Sequence, residues 1–100
     1  MRTFDISIPA QGTKTPIHKD DKRAVMRLEV RAGESLPSHS SPGPLSLLVF
    51  RGELEFSDDE AHQKVVLKPG QGILLDVKTM HSVRAIKDTT CFVNAMFAPA

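Results

Sequence analysis

The sequence predicts an all-β domain, an antiparallel barrel or two-sheet sandwich, and three observations carry that prediction. Apolar residues recur with a period of two in run after run, and no stretch shows the period of 3.6 that a helix needs. Glycine and proline cut those runs to strand length. The chain has 100 residues, of which 40% are hydrophobic and 25% charged, the size and composition of one ordinary globular domain.

Taken in order, Phe4, Ile6 and Ile8 alternate with Asp5 and Ser7 until Pro9, which predicts an N-terminal strand over 4–8 followed by a loop to residue 23. Residues 10–16, rich in Thr, Gly and Pro, are expected to be irregular. Met26, Leu28 and Val30 alternate with Arg27, Glu29 and Arg31 before Gly33 turns the chain. The run 45–50 is apolar at every position but Ser46, as for a strand covered on both faces. Gly52 breaks it, and 53–56 resumes strict alternation. The polar stretch 57–63 reads as a hairpin tip, and 64–67 as the returning strand, ended by Pro69-Gly70. An Asp58 cap followed by Glu60 and Ala61 could open a short helix, but Val65 and Val66 favour strand. Residues 73–77, 82–86 and 89–97 complete about eight strands.

Composition excludes several function classes. Thirteen basic and twelve acidic residues leave a formal net charge of +1, with no massed basic stripe, and five Phe with no Trp or Tyr make a poor platform for stacking bases. No nucleic-acid partner is expected. No apolar stretch approaches the length of a membrane-spanning helix, so no membrane partner is expected either. The start shows no secretory pattern, and a single cysteine, Cys91, cannot form an internal disulfide, which favours the cytoplasm.

Two histidine segments stand out. Gly33, His39, Ser41, Leu45 and Gly52 fall at the spacing G-x5-H-x-H-x3–4-E-x6-G with Ser and Leu in place of the second His and the Glu. Gly70, Asp76, Lys78, His81 and Ala85 fall at the spacing G-x5-P-x-G-x2-H-x3-N, keeping the first Gly and the His. On these residues, motif one over 33–52 and motif two over 70–85, the chain resembles the cupins. The resemblance implies a single cupin-like domain over 1–100, an RmlC-like antiparallel double-stranded β-helix or jelly-roll barrel. It also implies a homodimer, since cupins commonly pair through a sheet and exchange an N-terminal strand. Leu48, Phe50, Leu54 and Phe56 are the outward apolar positions expected to form that contact.

Family ligand positions fall on His39, Ser41, Leu45 and His81. Leu45 cannot ligate a metal and Ser41 is a poor ligand, so a metal site here is sparse: His39 and His81, holding zinc, nickel, iron or copper weakly. Asp76, five residues before His81, is the acid best placed to add to it. The expected pocket is lined by His39, Ser41, Leu45, Leu47, Asp76, Met80, His81 and Val83, since residues two apart on a strand share a face. His18 and His62 are assigned to polar loops, Cys91 to the core as a small hydrophobe, and Met26, Met80 and Met96 to gaps in the core.

Cupins include dioxygenases, isomerases, storage proteins and ligand sensors, so fold leaves function open. The leading expectation is a domain that binds or senses a small molecule in an apolar cavity near His39 and His81. The runner-up is a metal-dependent enzyme of dioxygenase or isomerase type built on those two histidines. A third is metal-free acid–base catalysis by His81 with Asp76. No catalytic residue is assigned.

Overall fold

The computed structural model describes residues 1–7, 10–41, 43–76 and 78–97. They contain nine strands: β1 (Lys14–Lys19), β2 (Arg23–Val30), β3 (Ser35–Ser40), β4 (Leu45–Arg51), β5 (Leu54–Asp58), β6 (Gln63–Leu67), β7 (Gly72–Leu75), β8 (Met80–Ala85) and β9 (Thr89–Met96). Among these residues there is no helix, hence none long and apolar enough to cross a membrane. Five strands form one antiparallel sheet in the order β1-β2-β9-β4-β7, and four form a second in the order β3-β8-β5-β6. Apart from the β1–β2 and β5–β6 hairpins, every connection carries the chain from one sheet to the other.

The sheets face each other across one core. Leu28, Val30, Leu45, Leu47, Val49, Cys91, Val93 and Ala95 come from the five-stranded sheet. Leu54, Phe56, Leu67, Val83 and Ala85 come from the other. Within each strand these alternate with outward residues, which is the pleat expressed as burial. Cys91 is buried there, and burial pushes its thiol up to about 12, so it packs as a small hydrophobe rather than reacting.

Several expectations need correction. Leu54 and Phe56 are 0% and 1% exposed, not outward. The chain changes sheet at Gly52, and that crossing reverses which phase of the alternation faces the core. The N-terminal strand is absent from residues 1–7: the Asp5 carboxylate accepts from both the amide and the hydroxyl of Ser7, at 2.8 and 2.6 Å, closing a turn instead of leaving the backbone for a ladder. The expected strand ends Ile8 and Val77 lie outside the described residues.

Two strands were not expected at all, β1 and β3. Both are sheet edges, both carry a proline, and both have a register shift at or beside it, between Pro16 and His18 and between Leu36 and His39. Proline lacks the amide a central strand must donate and is tolerated at an edge or bulge. His18 accordingly lies on β1 rather than in a loop, 2.9 Å from the Asp20 carboxylate. Met80 and Met96 are exposed, at the first position of β8 and the last of β9, where no sheet packs over them. Met26 is half-buried.

Candidate functional site

The bulge in β3 creates the site. Leu36 pairs with Val83 and His39 pairs with His81, so three steps along β3 match two along β8. Strict alternation from Leu36 would turn His39 away from the interior. The extra residue at Pro37-Ser38 reverses the phase and brings His39 to the same face as His81, the re-aiming of a side chain that bulges provide. The two imidazoles meet edge to face with ring centroids 4.4 Å apart. They are neighbours on paired strands of one sheet.

Each ring is held by the backbone two residues before it. His39 Nδ1 lies 2.8 Å from the Pro37 carbonyl and His81 Nδ1 3.1 Å from the Thr79 carbonyl. A carbonyl oxygen only accepts, so each Nδ1 carries the hydrogen, and in the neutral ring Nε2 is left with a lone pair. Among the described residues nothing hydrogen-bonds to either Nε2. Phe56 stacks on His81 from below, centroids 5.5 Å apart and planes 17° from parallel.

The Asp59 carboxylate ties the mouth together. It accepts from Ser38 on β3 at 2.6 Å and from Ser82 on β8 at 3.2 Å, and the Ser38 bond above all holds its carboxyl below the usual range. The Asp59 amide also donates to the Met80 carbonyl, and the Glu60 carboxylate accepts from the Met80 amide. The β5–β6 turn is thereby docked on the strand start that carries His81.

Burial is the main cause that pushes His81 below the ordinary histidine value. The neighbouring His39 adds to the shift, while the Thr79 carbonyl and the Asp59 and Asp58 carboxylates oppose it. A histidine kept neutral by the fold binds its proton more readily in the unfolded chain, so acid favours unfolding. Stability is therefore expected to be level above about pH 7 and to fall as pH drops through the unfolded histidine value of about 6.5. Urea unfolding at stepped pH checks this. His81→Phe should flatten the curve between pH 7 and 5, and an unchanged slope would remove His81 as its source.

Between the sheets, below the imidazoles, is a cavity of about 140 Å³. Its wall is Met26, Leu28, Leu36, Leu45, Leu47, Val83, Val93 and Ala95, and its mouth is Lys14, His39, Ser40, Ser41 and His81. Of the residues expected to line a pocket, His39, Ser41, Leu45, Leu47, His81 and Val83 do so, whereas Asp76 and Met80 stand outside it, both exposed. Asp76 follows the last residue of the edge strand β7 and so belongs to the crossing to the other sheet. His81 takes its Nδ1 partner from Thr79, not from Asp76, which removes the basis for the acid–base pair.

Sequence reasoning missed the Ser38–Asp59–Ser82 tie and five of the eight wall residues, Met26, Leu28, Leu36, Val93 and Ala95. Val93 and Ala95 could have been found by continuing the alternation from Cys91. No sequence signal marks Lys14, which reaches the mouth because β1 pairs Lys14 with Leu28.

No protein-family model matches the chain, and no curated protein does. Solved structures do match. An RmlC-like cupin from Desulfovibrio desulfuricans superposes with a TM-score of 0.79 at 23% identity, covering 96% of this chain and 96% of its own. A cupin superfamily protein from Desulfitobacterium hafniense gives 0.80 at 17% identity, covering 91% and 84%. An RmlC-like cupin with a double-stranded β-helix from Methanocaldococcus jannaschii gives 0.75 at 17%, covering 96% and 90%. The fold is the cupin double-stranded β-helix.

A metal bound in such a fold needs enough donor side chains facing the cavity. The two imidazoles qualify, with Nδ1 anchored and Nε2 open, as metal-bound histidines usually are. At the other two motif positions, the Ser41 hydroxyl donates to the Gly43 carbonyl and Leu45 is part of the apolar wall. Among the described residues no group of three or more His, Cys, Asp or Glu side chains could hold an ion. Catalytic metal sites use about three protein ligands, and this cupin barrel does not fit one.

Proposed function

We propose that this cupin barrel is a small-molecule-binding domain whose ligand sits in the cavity beneath His39 and His81. The observation that carries the reading is the pairing of an apolar chamber with two ordered imidazoles at its mouth, the arrangement expected of a ligand pocket with a few oriented polar groups. A fragment screen by ligand-observed NMR on chelator-treated protein tests it. Binders displaced or weakened by Leu47→Phe, which fills the chamber, support the reading, and a screen with no such binder overturns it.

The anchored Nδ1 atoms favour a second reading, metal binding by the histidine pair. Two protein ligands predict weak affinity, and because ligation needs the neutral ring, it should weaken further as pH falls through the histidine range. Calorimetry with zinc and nickel, repeated on His39→Ala and His81→Ala, is expected to give dissociation constants above about 1 µM, since only two protein ligands are on offer. Submicromolar binding at one ion per chain, abolished by both substitutions, would establish the metal reading instead.

We also propose a homodimer through the outer face of the five-stranded sheet. Leu48, Phe50 and Leu74 are 48%, 54% and 75% exposed there, and Phe92 meets Phe50 edge to face at 5.9 Å. Phe4 and Ile6 line a groove against Leu48 and Phe92. Such a contiguous apolar area is more than a monomer usually leaves bare. Light scattering should return twice the 11.0 kDa chain mass, and Phe50→Lys should halve it; a parent at the chain mass would dismiss the dimer.

A further inference from the structure

We infer that the ligand class of this cavity is a monocyclic phenol or a similarly sized enol, its ring in the chamber and its O–H donated to the imidazole pair. The inference rests on the small-molecule reading above and narrows it by size, by lining and by hydrogen-bond polarity.

Size comes first. A cavity of about 140 Å³ is comparable with an engineered apolar cavity of about 150 Å³ that stays dry and binds benzene. Drug-sized ligands, nucleotides and sugar chains need roughly 300 Å³ or more. The part of a ligand that enters the chamber is therefore of the order of one six-membered ring, with its substituent at the open mouth.

Lining comes second. Leu28, Leu36, Leu45, Leu47, Val83 and Val93 present only carbon to the chamber. A monosaccharide would bury several hydroxyls against that wall, each without a partner and each costly. An apolar ring meets no such penalty.

Polarity at the mouth decides the substituent. Because both Nδ1 hydrogens are used by the Pro37 and Thr79 carbonyls, the neutral imidazoles offer acceptors, Nε2 of each. The Ser41 hydrogen is likewise committed to the Gly43 carbonyl, while the exposed Ser40 hydroxyl next to His39 can donate or accept. A ligand group meeting these atoms must donate. A hydroxyl on a ring does so, an unsubstituted ring leaves the acceptors unmet, and a carboxylate opposes lone pair to lone pair. Lys14 is the one cationic side chain at the mouth; it is exposed and its ammonium is largely screened by water.

Calorimetry and ligand-observed NMR with phenol, toluene and benzoate on chelator-treated protein test the inference. Phenol and toluene share a shape and differ by hydroxyl against methyl. In the parent, phenol is expected to bind about 3- to 10-fold more tightly than toluene, the worth of one added hydrogen bond. In the double variant His39→Phe, His81→Phe the preference should vanish, with toluene binding at least as tightly as phenol, because the hydroxyl has lost its imidazole acceptors. Long-range 1H–15N spectra of the parent should show both rings as the Nδ1–H tautomer, and the Nε2 resonance of at least one should move on adding phenol, a readout that does not depend on the variant folding.

Toluene binding more tightly than phenol in the parent, Nε2–H tautomers, or benzoate as the tightest of the three would each overturn the phenol assignment while leaving the pocket a small-molecule site. Absence of any fragment binding to the chamber would instead overturn the small-molecule reading itself.

Discussion

Gly52→Ala is expected to cost more than about 3 kcal/mol and to leave the domain largely unfolded at 37 °C. Gly52 has φ +93°, where a side chain is strained. A Cβ there would lie 2.1 Å from the Asp88 carbonyl oxygen and 2.6 Å from the Thr89 Cα. Both are backbone atoms, so no rotamer change relieves the clash. Nor can the backbone retreat cheaply. The next residue, Glu53, is bound to the same segment: its amide donates to the Thr89 hydroxyl, and its carbonyl accepts from that hydroxyl and from the Ile86 and Lys87 amides. Gly33 and Gly70 make the control. Each has φ +84° but nothing within 4 Å of a built Cβ, so alanine there should cost only the conformational strain, about 1–2 kcal/mol. Urea unfolding of the three variants compares them directly, and equal losses would show that the close approach at Gly52 is unimportant.

Phe56→Ala is expected to cost about 3–5 kcal/mol, the range for emptying a buried aromatic position. In a domain whose whole stability is of the order of 5–15 kcal/mol, that is a large share. Phe56 is 1% exposed and sits between the deep core and the site, stacked beneath His81. The loss should therefore reach the imidazole pair. Water admitted to the vacated space would relieve the burial that keeps His81 neutral, moving its titration toward the ordinary histidine value. Phe56→Leu should cost less, about 1–2 kcal/mol, since it keeps an apolar filling without the ring. Denaturant unfolding gives the energies and NMR titration of His81 gives the shift. A His81 titration unchanged in Phe56→Ala would show that the stack does not shape the site.

Gly52 and Phe56 differ in how plainly the sequence shows their structural role. Gly52 is visible as an interruption between two apolar runs, and its left-handed backbone follows from that place. The inward direction of Phe56 was not visible. Strand β4 buries Leu45, Leu47 and Val49, and carrying that phase across Gly52 points Leu54 and Phe56 outward. The chain instead crosses to the facing sheet, and the phase starts again. Strands β1 and β3 were hidden for a related reason. As edges they need few apolar residues and tolerate Pro16 and Pro37, so their composition is that of a loop.

What the sequence by itself determined is whatever short-range chemistry decides: strand over helix from the period-two runs, turns from the glycines, a candidate pair from two histidines at motif spacing, and the loss of two donors at Ser41 and Leu45. What only the tertiary structure decided is which faces meet. One extra residue in β3, accommodated opposite β8, brings the exposed His39 to the same face as the buried His81, and the Asp59 carboxylate, 21 and 23 residues away from Ser38 and Ser82, holds that mouth in place. A period of two makes facing direction depend on parity. Any bulge or sheet crossing changes the parity, and both are set by long-range pairing that no local pattern records.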